Sequence, residues 1–220
     1  MKKVWKLALI LVIAACFVWP APVKIGENPN VTAADASAFA AKAELWAAEN
    51  TEKILSDRSY SDEDMRVKTV RIESARNEYE NAQFIITAKQ EIRDVQVLPA
   101  DFTSQSGAVI AADNVTVYFQ KYLEINGMSS PDAPSNPGMW PDALVPLSAI
   151  REKDEDRIAA GANQGIWLTL FVPKDAAAGE YTSRFTVILD GTEGSVDVSL
   201  KVYDFALPNE NHVQSSFWLT

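Results

Sequence analysis

Polar and apolar residues alternate between Arg66 and Ile72, the period-two mark of a strand with one face on a core. The same mark returns further along. Residues 81–88 run through Phe84-Ile85-Ile86, and 92–98 alternate through Val95 and Val97. Residues 114–123 form a long β-branched and aromatic run. Residues 165–172 are more continuously apolar, which predicts a central strand with Trp167 in the core. Residues 181–189 and 195–205 follow, joined by Asp190-Gly191-Thr192-Glu193-Gly194, a hairpin signal. Phe217-Trp218-Leu219 has the look of a further strand start. About eight short strands with turn signals between them, and little strong helix, predict an all-β, antiparallel sandwich of the immunoglobulin-like or jelly-roll-like kind.

Two stretches break the pattern. Residues 34–48 are rich in Ala, with Phe39, Leu45 and Trp46 among them; Ala occupies every helical face, so a short helix or a flexible spacer is expected. Residues 126–141 contain Pro131, Pro134, Pro137, Gly138 and Pro141 and read as one long irregular loop, a feature that in a compact domain marks function or disorder.

The chain is 220 residues long, 47% apolar and 23% charged, which suits a globular domain large enough to fold without disulfide or metal. The net charge is −10, so nucleic acid is not expected as a partner. Solubility accounts for the acidity.

At the N-terminus Lys2, Lys3 and Lys6 precede an apolar run over residues 7–15, a span of about 14 Å as a helix and far short of a hydrocarbon core of about 30 Å. Pro20 and Pro22 follow. This is the layout of an export signal. Ile13-Ala14-Ala15-Cys16 resembles the bacterial lipobox, and Cys16, the single cysteine, would carry the lipid that anchors the protein to a membrane. Simple secretion, with cleavage near Ala33, is the alternative.

Catalytic chemistry is sparse. His212 is the single histidine, which leaves no Ser-His-Asp triad and no multi-histidine metal site. No cofactor motif and no metal motif occurs, and none is expected. Glu78 and Glu80 would share a strand face, but a turn in which Glu78 accepts hydrogen bonds explains them better than a glycosidase pair. The acidic runs 62–64 and 152–156 lack the spacing of a calcium loop and read as solvated turns. In the Pro-rich stretch, Met139, Trp140 and Asp142 are candidates for contact with a partner domain or a sugar, or for folding back over their own sandwich. Tyr122, Phe217 and Trp218 join them as candidates for a substrate or domain interface.

Several phrases taken in order carry a resemblance. They are Trp46 with residues 52–55, then Ala75-Arg76-Asn77-Glu78-Tyr79-Glu80-Asn81-Ala82-Gln83, then residues 137–147, residues 163–182 and Phe205-Ala206-Leu207-Pro208. Together they resemble the N-terminal β-sandwich of proteins related to glycoside hydrolase family 123. The resemblance implies a following (β/α)8 barrel that holds an adjacent Asp–Glu pair and acts on N-acetylhexosamine glycosides. No catalytic residue of that barrel maps onto this chain. The expected organisation is a signal peptide over 1–15, a tether over 16–45, the sandwich over 46–209, and the start of a linker or barrel over 210–220. The expected function is a non-catalytic accessory domain whose partner is the barrel of the same polypeptide. A stand-alone surface module for carbohydrate or protein binding is the alternative.

Overall fold

The computed structural model describes residues 33–61, 66, 69–127 and 137–210. The export signal with Cys16, the acidic run 62–64, residues 128–136 of the Pro-rich stretch, His212 and the run 217–219 lie outside the described residues.

Helix α1 (Ala33–Lys42) passes directly into strand β1 (Ala43–Ala48). Of the two readings of the Ala-rich stretch, a short helix or a flexible spacer, the helix is the one observed, and it runs into a strand. The reason is Phe39, which is buried against the core and supplies the apolar anchor that the surrounding alanines obscure. Strands β2 (Thr69–Arg76) and β3 (Glu78–Ala88) meet at Asn77, whose φ of 60° makes a one-residue corner. Asn is among the few residues that tolerate that conformation.

Next come β4 (Val95–Leu98), β5 (Phe102–Ser104), β6 (Val109–Ile110) and the long β7 (Val115–Ile125). β8 (Gly138–Pro146) and a short helix α2 (Leu147–Glu152) follow. β9 (Asn163–Val172), β10 (Gly179–Leu189) and β11 (Thr192–Ala206) complete the described fold. β10 and β11 are joined through Asp190 and Gly191, both with positive φ (46° and 74°), the two-residue hairpin that Asp-Gly favours.

The strands form two sheets. One has the order β1-β3-β9-β7-β8; the other has the order β2-β11-β10-β5-β6, with β4 also paired to β10. The pairings are antiparallel except for β2 on β11, which is parallel. The chain crosses from the second sheet to the first at Asn77. Where β4 gives way to β5, the Ser183 hydroxyl donates to Ala100 O at 2.8 Å and ties the interrupted edge to β10.

Between the sheets lie Phe84, Ile86, Ile166, Leu168, Phe102, Phe185, Val187, Val198 and Leu200, all buried in one cluster. Phe102 and Phe185 meet edge to face with centroids 5.8 Å apart. The fold is the β-sandwich expected from the alternation.

Two sequence expectations are corrected. Trp167 does not point into this core: Ile166 and Leu168 do, and Trp167 is half-buried on the opposite face of β9. Residues 138–141 are not loop but the start of β8, paired residue by residue with β7. Pro141 and Pro146 are tolerated there because β8 is the edge of its sheet, where a missing N–H breaks no ladder.

Candidate functional site

The outer face of the first sheet is covered by a strap, residues 49–60, held by side-chain amides and by backbone bonds from Ser56 N to Met139 O and from Asn163 N to Ser56 O. Gln83 Nε2 donates to the carbonyls of Glu49 (2.6 Å) and Glu52 (2.8 Å), and Gln83 Oε1 accepts from Gln120 Nε2 at 3.0 Å. Asn163 Nδ2 donates to Leu55 O and Arg58 O, and its Oδ1 accepts from the Thr87 hydroxyl. Thr87 in turn accepts from Trp46 Nε1 at 2.8 Å. Beneath the strap, Trp46, Ile54 and Ile85 form a second, smaller apolar cluster. Gln83 and Asn163 are buried yet bonded on both sides of their amides, which is what burial of a polar group requires. Gln120 Oε1, buried beside a small cavity of about 80 Å³ bordered by Lys53, Asp142 and Trp167, receives no hydrogen bond from the protein.

Tyr122 belongs to this scaffold. Its hydroxyl accepts the Gly165 N–H at 3.0 Å, and burial raises its pKa well above the usual phenol value. Trp140 lies directly opposite Leu123 in the β7–β8 ribbon, and Met139 lies opposite Glu124. The ribbon runs past the first residue of β9, and Leu123 and Ile125 are exposed on it. Met139 O accepts from Ser56 N at 3.1 Å, which moors the ribbon to the strap. Asp142 is exposed at the bulge of β8, where it and Ala143 together face Lys121. The structure thus brings Tyr122, Met139, Trp140 and Asp142 to one ribbon, with Tyr122 spent on fixing the sheet.

The paired glutamates do not form a catalytic constellation. The Glu78 carboxylate accepts from Ala75 N (2.6 Å) and the Ser74 hydroxyl (3.3 Å), closing the Asn77 corner. Glu80 borders a cleft of about 460 Å³ between the sheet edges, with Glu49, Asn50, Arg71, Glu73 and Asn81. In the run 152–156, Glu155 pairs with Lys121, and Asp156 is buried and accepts Val95 N at 2.8 Å. Among the described residues no group of acidic, His or Cys side chains is placed to hold a metal ion.

Two aromatic pairs on the outward faces of different sheets escaped the sequence reading. Tyr79 and Phe171 pair across β3 and β9 with ring centroids 4.7 Å apart. Tyr203 and Phe205 stack on β11 at 6.0 Å. Both pairs sit at the Asn77 end of the sandwich: Asn77 N donates to Val172 O, and Asn77 Nδ2 donates to Leu207 O and Asn209 Oδ1. The available signal was phase. On β11 the even positions Val196 to Val202 are buried, so Tyr203 and Phe205 fall on the outward phase.

The fold and these surfaces define a β-sandwich with exposed apolar side chains towards both ends. The family described as the glycoside hydrolase 123 N-terminal domain matches residues 51–188, and the chain belongs to that family. Among solved structures, the chain is similar to a family 123 glycoside hydrolase from Clostridium perfringens, at 19% identity and a TM-score of 0.51, over 74% of this chain and 28% of that one. The chain therefore spans about a quarter of that enzyme's length. A fimbrial subunit, MyfA of Yersinia enterocolitica, matches at 12% identity and a TM-score of 0.33, over 73% of this chain and 99% of that one. The CooA pilin subunit of enterotoxigenic Escherichia coli matches at 11% and 0.36, over 76% and 99%. No curated protein matches.

Proposed function

We propose that this chain is the non-catalytic N-terminal accessory domain of an exported, lipid-anchored bacterial glycoside hydrolase. It packs against and orients a C-terminal (β/α)8 catalytic barrel of the same polypeptide. The observation that carries this reading is the match of residues 51–188 to an N-terminal domain family of glycoside hydrolases. The engagement of Glu78 and Asp156 in backbone hydrogen bonds supports it, since these carboxylates hold the fold rather than face a substrate. The Lys-rich start, the apolar run 7–15 and Cys16 support export and attachment at the cell envelope.

The test compares the full-length protein with a form lacking residues 33–210. The reading expects residues 1–220 alone to hydrolyse no N-acetylhexosaminide, and the deletion to lower the melting temperature of what remains. A reading frame that stops at Thr220, or a deletion that leaves stability and activity intact, refutes it.

A second reading, a stand-alone glycan-binding module, rests on the cleft of about 460 Å³ with its amide and carboxylate lining. A glycan-array screen without binding removes it.

A further inference from the structure

We infer that the cavity between the strap and β8, bordered by Gln120 and Trp167, is a binding site for a neutral, hydroxyl-rich ligand of the hexose class, one hydroxyl of which donates to Gln120 Oε1. The inference goes beyond the accessory-domain reading, and its site is not the cleft of about 460 Å³ that carries the second reading. Three observations converge on it.

The first is an acceptor without a donor. Gln120 is only 4% exposed. Gln83 Nε2 gives its two hydrogens to Glu49 O and Glu52 O, so Gln83 Oε1 is the atom left to accept from Gln120 Nε2. That fixes which way round the Gln120 amide stands, and its Oε1 then receives no hydrogen bond from the protein. Gly165 makes the space in which this oxygen sits, since a β-carbon at residue 165 would lie 2.1 Å from it. A buried acceptor held this firmly calls for an O–H or N–H from outside the chain.

The second is room. Gln83 and Gln120 border a cavity of about 80 Å³, closed by Lys53, Asp142, Leu144 and Trp167. A single water needs only about 10–15 Å³ of such space, so one bridging water would leave most of the cavity empty, whereas a hydroxyl-bearing carbon arm fills more of it.

The third is the chemistry of the walls. Trp167 is half-buried on the outward phase of β9, and its Nε1 donates to Asn81 Oδ1 at 3.2 Å, which sets the ring. Its register partner on β7 is Tyr118, on the same face of the sheet. The negative face of an aromatic ring attracts the weakly positive C–H groups of a sugar ring. Lys53 and Asp142, both exposed, bring a donor and an acceptor of opposite charge, which suits a neutral ligand with both hydroxyl donors and oxygen acceptors better than an ion. A few convergent polar groups beside an aromatic wall are the make-up of a small-molecule site.

Nuclear magnetic resonance titration of the isotope-labelled 1–220 chain with mannose, galactose or glucose tests this. At least one of these sugars is expected to shift the Gln120 side-chain amide and the Trp167 Nε1–H saturably in the millimolar range, while the Trp46 Nε1–H, bonded to Thr87 beneath the strap, does not move. Lys53→Ala and Asp142→Ala, at exposed positions that leave the fold intact, are each expected to weaken binding several-fold. Gln120→Met, which removes the acceptor at similar volume, is expected to abolish it, and Glu80→Gln in the larger cleft leaves it unchanged. No saturable shift with any of the three sugars means that the cavity holds water only, and overturns the inference. Binding that survives Gln120→Met, or that neither Lys53→Ala nor Asp142→Ala weakens, overturns it as well. Shifts confined to Arg71 and Glu73 overturn it in favour of the cleft and leave the second reading standing. The accessory-domain reading stands or falls on the deletion experiment, whichever of these results is found.

Discussion

The ring of Phe39 in α1 lies flat on Gly194 of β11: a β-carbon at residue 194 would fall 2.5 Å from Cε2 and 2.6 Å from Cδ2 and Cζ. Gly194 thus makes the seat for the helix that precedes the first strand. Because the obstructing atoms belong to a buried ring, the contact cannot be relieved by a small side-chain swing. Gly194→Ala is expected to destabilise the domain by about 1–3 kcal/mol, as overpacking does. It should do so by lifting the helix rather than by opening the sandwich. Urea unfolding should show the loss, and limited proteolysis should show new cleavage within 33–42 while the β-sheet circular dichroism is retained.

Gln83 holds two carbonyls of the strap with one amide group. Gln83→Ala leaves Glu52 O and the Gln120 amide without their partner, while Glu49 O keeps only the Glu52 N–H. An orphaned buried polar group costs about 1–3 kcal/mol, so the variant should lose at least that much stability. Hydrogen exchange should quicken most in residues 49–60, ahead of the amides of β9 and β10.

Tyr122 gives a pH signature with a definite sign. Desolvation raises its folded pKa above the unfolded phenol value of about 10. Its contribution to stability is therefore complete below about pH 10 and declines as pH rises from there towards the folded pKa, because the unfolded chain ionises first. Tyr122→Phe should remove that part of the alkaline loss. It also strips Gly165 N–H of its acceptor, at a cost of about 1–3 kcal/mol near neutral pH. The stability gap between wild type and variant at pH 7 should narrow at pH 11.

The aromatic pairs should behave oppositely in the 1–220 chain. Tyr79→Ser and Phe205→Ser replace exposed side chains, and each should change stability by no more than about 0.5 kcal/mol. Solubility should rise, and binding of a hydrophobic dye should fall. A large loss of stability would show that these rings hold the sandwich together instead.

Much of the sheet architecture was legible because burial on one face imposes a period of two. Val196, Val198, Leu200 and Val202 announce β11, and Asp190-Gly191 announces its turn. The helix at 33–42 was legible from its alanine content as one of two readings; because alanine marks no face, the pattern left a flexible spacer open beside it. Trp140 was assigned to a loop because prolines surround it; an edge strand accepts prolines, and edge position is a property of the assembled sheet. The parallel pairing of β2 with β11 joins residues more than a hundred positions apart and leaves no local trace. Trp167 lay in a run too uniformly apolar to show which phase faced inward. At the candidate surfaces, residue types gave Trp140 and Asp142, but the pairing of Tyr79 with Phe171 depends on the register of β3 on β9, which no local pattern carries.

The central claim is that this sandwich serves a domain that follows it, and calorimetric unfolding of the full-length protein tests it most directly. A docked accessory domain predicts one cooperative transition, at a higher temperature than that of the 1–220 chain alone. Two transitions, one coinciding with that of the isolated 1–220 chain, would contradict the account.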